Sequence, residues 1–288
     1  MSLQERIMKR QNETDMLGYQ FSSRRYFNTA EKCYSMAIIF SVISLLLAIP
    51  ELNNSIVVML FIITASIFDV VSWVLLFFAG QSVKYGALLR NYFDNYVLGF
   101  KTTGYSERTI RKIKDLTNKC VKKHKKEYEI QTSHTSRDDP PGVKDWYEFS
   151  TDYSDADVVF ECQRQNQWWT TKLLLRRIAI FFILLVCIIV VAIIVLHYSQ
   201  IGVLKILVCF IGLVITFIDI IIESIRCVII TLEIEGSIKI LEASKNLAQL
   251  ELLQAMIEKR RELPVVEINL IHKRKSRVFS EEYEQLSK

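Results

Sequence analysis

Four stretches of this chain are almost free of charge and long enough to cross a bilayer, and they limit the possible folds more than any other feature. They run from Cys33 to Ile49, Ser55 to Ala79, Ile178 to His197 and Ile201 to Ile222. A hydrocarbon layer about 30 Å thick takes on the order of 20 residues of helix, and it holds no water to satisfy an irregular backbone. Core helices of a soluble protein do not reach this length with so few polar positions. The first segment is the shortest; Pro50 ends it, and the turn from Thr29 to Lys32 extends it to the interface. Of 288 residues 51% are hydrophobic, yet the chain carries 36 Lys and Arg, crowded between the apolar stretches. That segregation is a membrane pattern.

The connectors Glu51 to Asn54 and Tyr198 to Gln200 are so short that each joins antiparallel neighbours. Six Lys or Arg precede the first segment, eighteen lie between the second and third, and eleven follow from Arg226; the two short turns carry none. Basic residues mark the cytoplasmic side, which places both termini and the central region there. Lys205, one turn into the fourth segment, is expected to snorkel to the outer interface. The expected fold is an all-α membrane protein, four transmembrane helices as two antiparallel hairpins with a helical cytoplasmic region. Its parts are a cytoplasmic N-terminal helix (1–32), hairpin 1 (33–79), a cytoplasmic helical loop region (80–177), hairpin 2 (178–222), and a cytoplasmic C-terminal helix and tail (223–288). The polar first thirty residues show no removable signal peptide.

Leu88, Leu89, Tyr92, Phe93, Tyr96, Val97 and Phe100 recur at three- and four-residue spacing, so the second membrane helix is expected to continue into the cytoplasm with one apolar face. Gly104 and Ser106 mark a turn and a helix start, followed by a stripe of Ile110, Ile113, Thr117, Cys120 and Val121. Gln131 to Gly142, with Pro140 and Pro141, is a loop. Ser154 and Asp155 cap a helix that runs through Val158, Cys162 and Trp169 into the third membrane segment. Ile234, Ile238, Leu241, Ala248, Leu252 and Met256 suggest one long helix after the fourth, kinked at Gly236 and ended by Pro264, with the last twenty residues a tail. Arg10-Gln11-Asn12 is echoed by Arg164-Gln165-Asn166, and Arg24-Arg25 by Arg176-Arg177. Duplication and coincidence explain this echo equally well.

Acids inside the apolar segments are the sharpest local feature. Asp69 shares a helical stripe with Ser66 and Ser72, and Asp219 and Glu223 share one with Gly212 and Thr216. A carboxylate in the bilayer costs several kcal/mol unless it faces protein, water or a partner, so both stripes are expected to face inward. Two readings stand: lining of an ion or water pathway with some cation preference, or polar glue between helices. Lys119, Lys122, Lys123, Lys125 and Lys126 fit a phosphate-bearing ligand or anionic headgroups, and equally a solvated face that sets topology. Trp146, Tyr147, Trp168 and Trp169 suit base stacking or interface anchoring. The six cysteines form no CxxC pair and are expected as reduced thiols, and the four histidines lack metal-ligand spacing. With no phosphate loop, GxSxG or HExxH, no enzyme and no cofactor are expected.

The chain resembles the SMODS-associating four-transmembrane effector family, found beside cyclic-oligonucleotide synthases in bacterial anti-phage (CBASS) operons. Its resemblance is carried by Arg10-Gln11-Asn12, Asn91-Tyr92-Phe93-Asp94 with Val97-Leu98-Gly99, Asp145-Trp146-Tyr147, and Cys162-Gln163-Arg164-Gln165-Asn166 with Trp168-Trp169. Where the family has Trp-Asn soon after the Phe-Asp element, this chain has Phe100-Lys101. The resemblance implies a multi-pass effector of the bacterial inner membrane. A cyclic oligonucleotide from a partner synthase would activate it, and it would oligomerise and permeabilise the membrane without binding DNA or RNA. By the same analogy Arg164, Asn166, Trp168, Trp146 and Asp94 would form the cytoplasmic switch, or else serve as packing and capping groups of the loop. The alternatives are a constitutive scaffold or small channel subunit, and a membrane enzyme or transporter relaying protons through Asp69 and Asp219, although four spans are few for a transporter repeat.

Overall fold

The computed structural model describes residues 1–48, 55–149, 152–198, 203–243, 245–263 and 282. They form helices α1 (Leu3–Gln11), α2 (Thr14–Ala48), α3 (Ser55–Leu98), α4 (Glu107–Lys123), α5 (Lys125–Ser133), α6 (Asp155–Tyr198), α7 (Val203–Ala243) and α8 (Leu247–Glu262), with a 3-10 turn at Thr102–Gly104. No β-strand occurs among the described residues.

Two helices, over Thr14–Leu47 and Ile56–Leu98, are long and apolar enough to cross a membrane. Their contact is built from small and hydroxyl side chains, which let helix backbones approach closely where hydrophobic burial gives no advantage. Ser23 donates to the Gly86 carbonyl at 2.8 Å, Ala30 packs on Ala79 and Val83, Ser72 donates to the Ala37 carbonyl at 2.9 Å, and Ser44 to that of Ala65 at 3.0 Å. Partner numbers fall as residue numbers rise, so α2 and α3 run in opposite directions. At Gly86 a Cβ would stand 3.1 Å from the Phe27 ring. The outward face of α3 leaves Trp73, Phe77 and Phe78 more than half exposed, a surface suited to lipid rather than water. The third and fourth apolar segments lie in α6 and α7, whose side chains between residues 195 and 217 are outside the described set.

With 44 residues each, α3 and α6 span about 66 Å, roughly twice the hydrocarbon thickness. Each therefore continues well past its apolar stretch, through the expected boundaries at 79/80 and 177/178. Leu89, Phe93 and Val97 of α3 enter one buried cluster with Ile7 and Tyr19, Ile113, Tyr147, Val158 and Cys162, Ile234 and Ile238, and Leu250, Leu253 and Ile257. Leu88, Tyr92, Tyr96 and Phe100 pack around its rim. Local signals place the ends of these helices. Ser2 and Glu5 close a capping box on α1, Ser106 accepts from the Thr109 amide, and Ser154 accepts from that of Asp157. Gly99 leaves α3 at φ 80, a conformation that costs glycine little.

Two expectations change. Helix α5 extends to Ser133, so the loop opens at His134 and not at Gln131. Helix α7 runs unbroken through Gly236 to Ala243 and α8 starts afresh at Leu247, where Asn246 accepts from the Ala248 amide. A break resets the helical phase. So Leu250, Leu253 and Ile257 are buried, while Leu252, expected on the apolar face, is 68% exposed. Pro50, Glu51 to Asn54, Ser199 to Gln200, Pro264 and nearly all of the last twenty residues lie outside the described set.

Candidate functional site

Asp94 is wholly buried in the C-terminal half of α3, a position an ionised carboxylate occupies only with partners. Its partners come from distant parts of the chain. Tyr147 donates its hydroxyl to Asp94 Oδ1 at 2.7 Å, and Arg261 of α8 places Nη2 2.6 Å from Oδ2. Arg90, one turn back on α3, brings Nε to 3.7 Å. From α6, Asn166 donates to the Tyr147 hydroxyl at 2.8 Å. Arg261 also donates to Asn91 at 3.2 Å, and Glu258, one turn before it, accepts from Asn95 at 2.7 Å. At this centre two carboxylates face two guanidinium groups, so charge is balanced and hydrogen bonds are shared among α3, α6, α8 and the loop before α6.

Tyr147 is seated by α1. The Gln11 side chain accepts from the Tyr147 amide at 2.7 Å and donates to its carbonyl at 3.1 Å, as a strand neighbour would. Asn12 clasps Asp145 in the same manner, donating to its carboxylate at 2.6 Å and accepting from its amide at 3.1 Å. Asp145 is thereby held at φ 48, in the left-handed region that Asp tolerates better than most residues. This turn lays the Trp146 ring 3.8 Å from the Arg90 guanidinium and sends the phenol of Tyr147 inward, stacked on Phe93. The two Arg-Gln-Asn elements thus converge on one loop, Gln11 and Asn12 from one side and Asn166 from the other.

Burial, reinforced by the charge of Asp94, pushes the Tyr147 hydroxyl well above its ordinary pKa, so it remains a neutral donor. Burial alone would lower Arg261, but Asp94, Tyr147 and Glu258 together outweigh it and the guanidinium is held above its usual value. Burial raises Glu258. A second layer ties α8 and α7 to α6. Gln163 donates to the Leu250 carbonyl at 2.9 Å, Arg260 bonds Gln167 and reaches Thr170 at 3.2 Å, and Gln167 donates to the Thr231 carbonyl at 3.1 Å. These groups contain no nucleophile activated by a base. What the arrangement does is lock charges between helices.

Of the five residues expected to form a switch, Asp94, Asn166 and Trp146 meet here. Arg164 instead pairs with Glu161 on its own helix at 2.8 Å, and Trp168 lies edge-to-face with Trp169, with Lys172 5.3 Å from its ring. Gln11, Arg90, Glu258 and Arg261 were not anticipated as site residues. The Glu258 to Arg261 spacing in the last turn of α8 is a local signal, but nothing in it points toward residue 94.

The acids of the apolar segments are dispersed. Asp69 is half-buried, between an exposed Ser66 and a buried Ser72 that bonds Ser41 at 2.8 Å, so only the Ser72 end of that stripe turns onto α2. Asp69 has no hydrogen-bond or ion-pair partner among the described residues. Glu223 pairs with Arg226 at 2.8 Å along α7. Asp219 lies in α7 with its side chain outside the described set. The described cysteines, Cys33, Cys120, Cys162, Cys187 and Cys227, are free thiols.

A family model described as the SMODS-associating 4TM effector domain matches residues 5–262, from the first turn of α1 to the last residue of α8. No curated protein matches, and no solved structure does.

Proposed function

The chain belongs to the SMODS-associating 4TM effector family, and from that membership we propose that it is a membrane effector of CBASS-type anti-phage defence. In this reading a cyclic oligonucleotide from a partner synthase activates it, and it oligomerises and permeabilises the inner membrane. Its four apolar segments form two antiparallel transmembrane hairpins, with both termini and the central region cytoplasmic. Four helices are too few to enclose a wide pore in one copy, so permeation takes an oligomer.

One observation carries the reading: the four motif segments meet at the buried Asp94–Tyr147 pair, on helices that continue into apolar segments. Change at this junction is transmitted along α3 and α6 as rigid rods. Arg90 and Arg261 have the planar, permanently charged chemistry that suits a phosphodiester, and both pair with Asp94 in the resting state. A ligand that took these arginines would displace Asp94 and free α8 from α3. Activation then depends on the ligand binding the opened arrangement more tightly than the closed one. Arg164 and Trp168, on the outer side of α6, would meet a ligand only from outside this junction. In the membrane, Asp69, Asp219 and Glu223 are proposed to face the conducting path of the oligomer.

Co-expression with the activating synthase tests this through a membrane-potential dye. Depolarisation is expected only when the synthase is active, and Asp69→Asn is expected to lower cation over anion permeability of the leak. Growth and membrane potential unaffected by an active synthase would favour a constitutive scaffold, and leakage without any nucleotide would defeat the proposed control.

A further inference from the structure

Helix α4 climbs alongside α2 toward the membrane. Gly18 lies against Thr117, Phe21 packs on Cys120, and Arg25 meets His124 at 3.3 Å and Glu127 at 3.0 Å. Residue numbers rise together, so the α4–α5 turn at His124 is the end of α4 nearest the apolar part of α2. That apolar part presents its first large exposed side chain at Met36. Eleven residues of helix separate Arg25 from Met36, about 16 Å of rise. A headgroup layer occupies about 5–7 Å of this distance, which leaves the turn about one Debye length beneath the lipid surface.

Around that turn Lys119, Lys122, Lys123, Lys125 and Lys126 are all exposed, and Lys32 and Lys84 are exposed on α2 and α3 nearer the apolar segments. Of the nearby acids, Glu127 pairs with Arg25, Glu129 lies 4.0 Å from Lys125, and Asp115 is exposed on α4 one turn before Lys119, so the lysines stay in excess. His124, at the turn, meets Arg25 of α2 at 3.3 Å, so the basic charges of α2 and of the turn adjoin. The buried face of α4, Ile113, Thr117 and Cys120, fixes the lysines outward.

We propose that the α4–α5 turn is a docking surface for the phosphates of anionic lipid headgroups in the cytoplasmic leaflet. The patch complements that leaflet in charge and faces it at the right height. Because the turn is clamped to α2 through Arg25, and α2 is tied to the loop before α6 through Arg24, which donates to the Pro141 carbonyl at 2.8 Å, headgroup binding holds the loop carrying Trp146 and Tyr147 at a set height beneath the membrane. This surface rests on the chain being embedded in a bilayer and not on nucleotide activation.

Amine acetylation of the full chain in bilayer discs, read lysine by lysine by mass spectrometry, tests it. Discs of phosphatidylcholine are compared with discs containing phosphatidylglycerol, and with phosphatidylcholine discs in added inorganic phosphate. Phosphatidylglycerol is expected to slow acetylation of Lys122, Lys123, Lys125 and Lys126 by about fivefold, the local enrichment that one basic residue near an anionic surface represents, and salt should reverse the effect. Lys9 and Lys259, exposed on α1 and α8, should react equally in all discs. Lys122→Glu with Lys123→Glu should abolish protection at Lys125 and Lys126, while the corresponding Arg substitutions retain it. Equal reactivity in neutral and anionic discs overturns the proposal, and so does equal protection by inorganic phosphate, which would mark a soluble-anion site.

Discussion

The phenol of Tyr147 stands between two helices, donating to Asp94 Oδ1 on α3 at 2.7 Å and accepting from Asn166 on α6 at 2.8 Å. Tyr147→Phe keeps the ring on Phe93 and removes only that bridge, leaving a buried carboxylate oxygen and a buried amide each short of one partner. The expected loss is about 1–3 kcal/mol, read as thermal unfolding of the detergent-solubilised protein. A change below a few tenths would mean that the bridge does not hold α6 to α3.

Asp94→Asn should cost more, about 3–5 kcal/mol, because it strands the buried charges of Arg261 and Arg90. Adding Arg261→Gln removes one of the stranded charges. The double variant should therefore be less destabilised than the two single losses summed, and strict additivity would show the pair to be uncoupled.

Burial holds the Glu258 carboxyl above its ordinary value of 4.5. Between that value and the higher folded one, the folded chain binds the extra proton, so stability falls as pH rises through the interval. Below 4.5 both states are protonated and the penalty is absent. Glu258→Gln removes the titration while keeping an acceptor for Asn95. Melting temperatures should show the variant gaining on the wild type as pH rises from 4.5 toward neutrality, and a difference independent of pH would exclude the mechanism.

A Cβ at Gly142 would fall 1.7 Å from the His134 carbonyl oxygen and 2.5 Å from that of Gln131. Backbone on both sides cannot yield as a side-chain tip would. Gly142→Ala is expected to cost about 3 kcal/mol and to expose the 134–149 segment to protease, as followed by limited proteolysis. The same substitution at Gly236, where no atom lies within 4 Å, is the control and should leave cleavage unchanged.

Much of the architecture is local and therefore legible in the chain alone. Apolar length needs only residue type, helix starts at Ser106 and Ser154 need only a hydroxyl before an acid-rich turn, and the α3 stripe needs only period 3.6. The motif segments around Asn12, Asp94, Asp145 and Asn166 were visible as segments, without any sign that they touch. The phase of α8 was missed because the break between α7 and α8 shifts every later position around the helix.

Sequence by itself determined that this chain is helical, where its apolar segments lie, and to which family it belongs, since these depend on composition, spacing and matched residues. Only the tertiary structure decided that Gln11, Asp94, Tyr147, Asn166 and Arg261 form one site. The separations are 136 residues from Gln11 to Tyr147, 53 from Asp94 to Tyr147 and 19 from Tyr147 to Asn166. No periodicity reports on contacts across such distances. They exist because buried charges and amides must find partners, and the packed helices determine which partners are within reach.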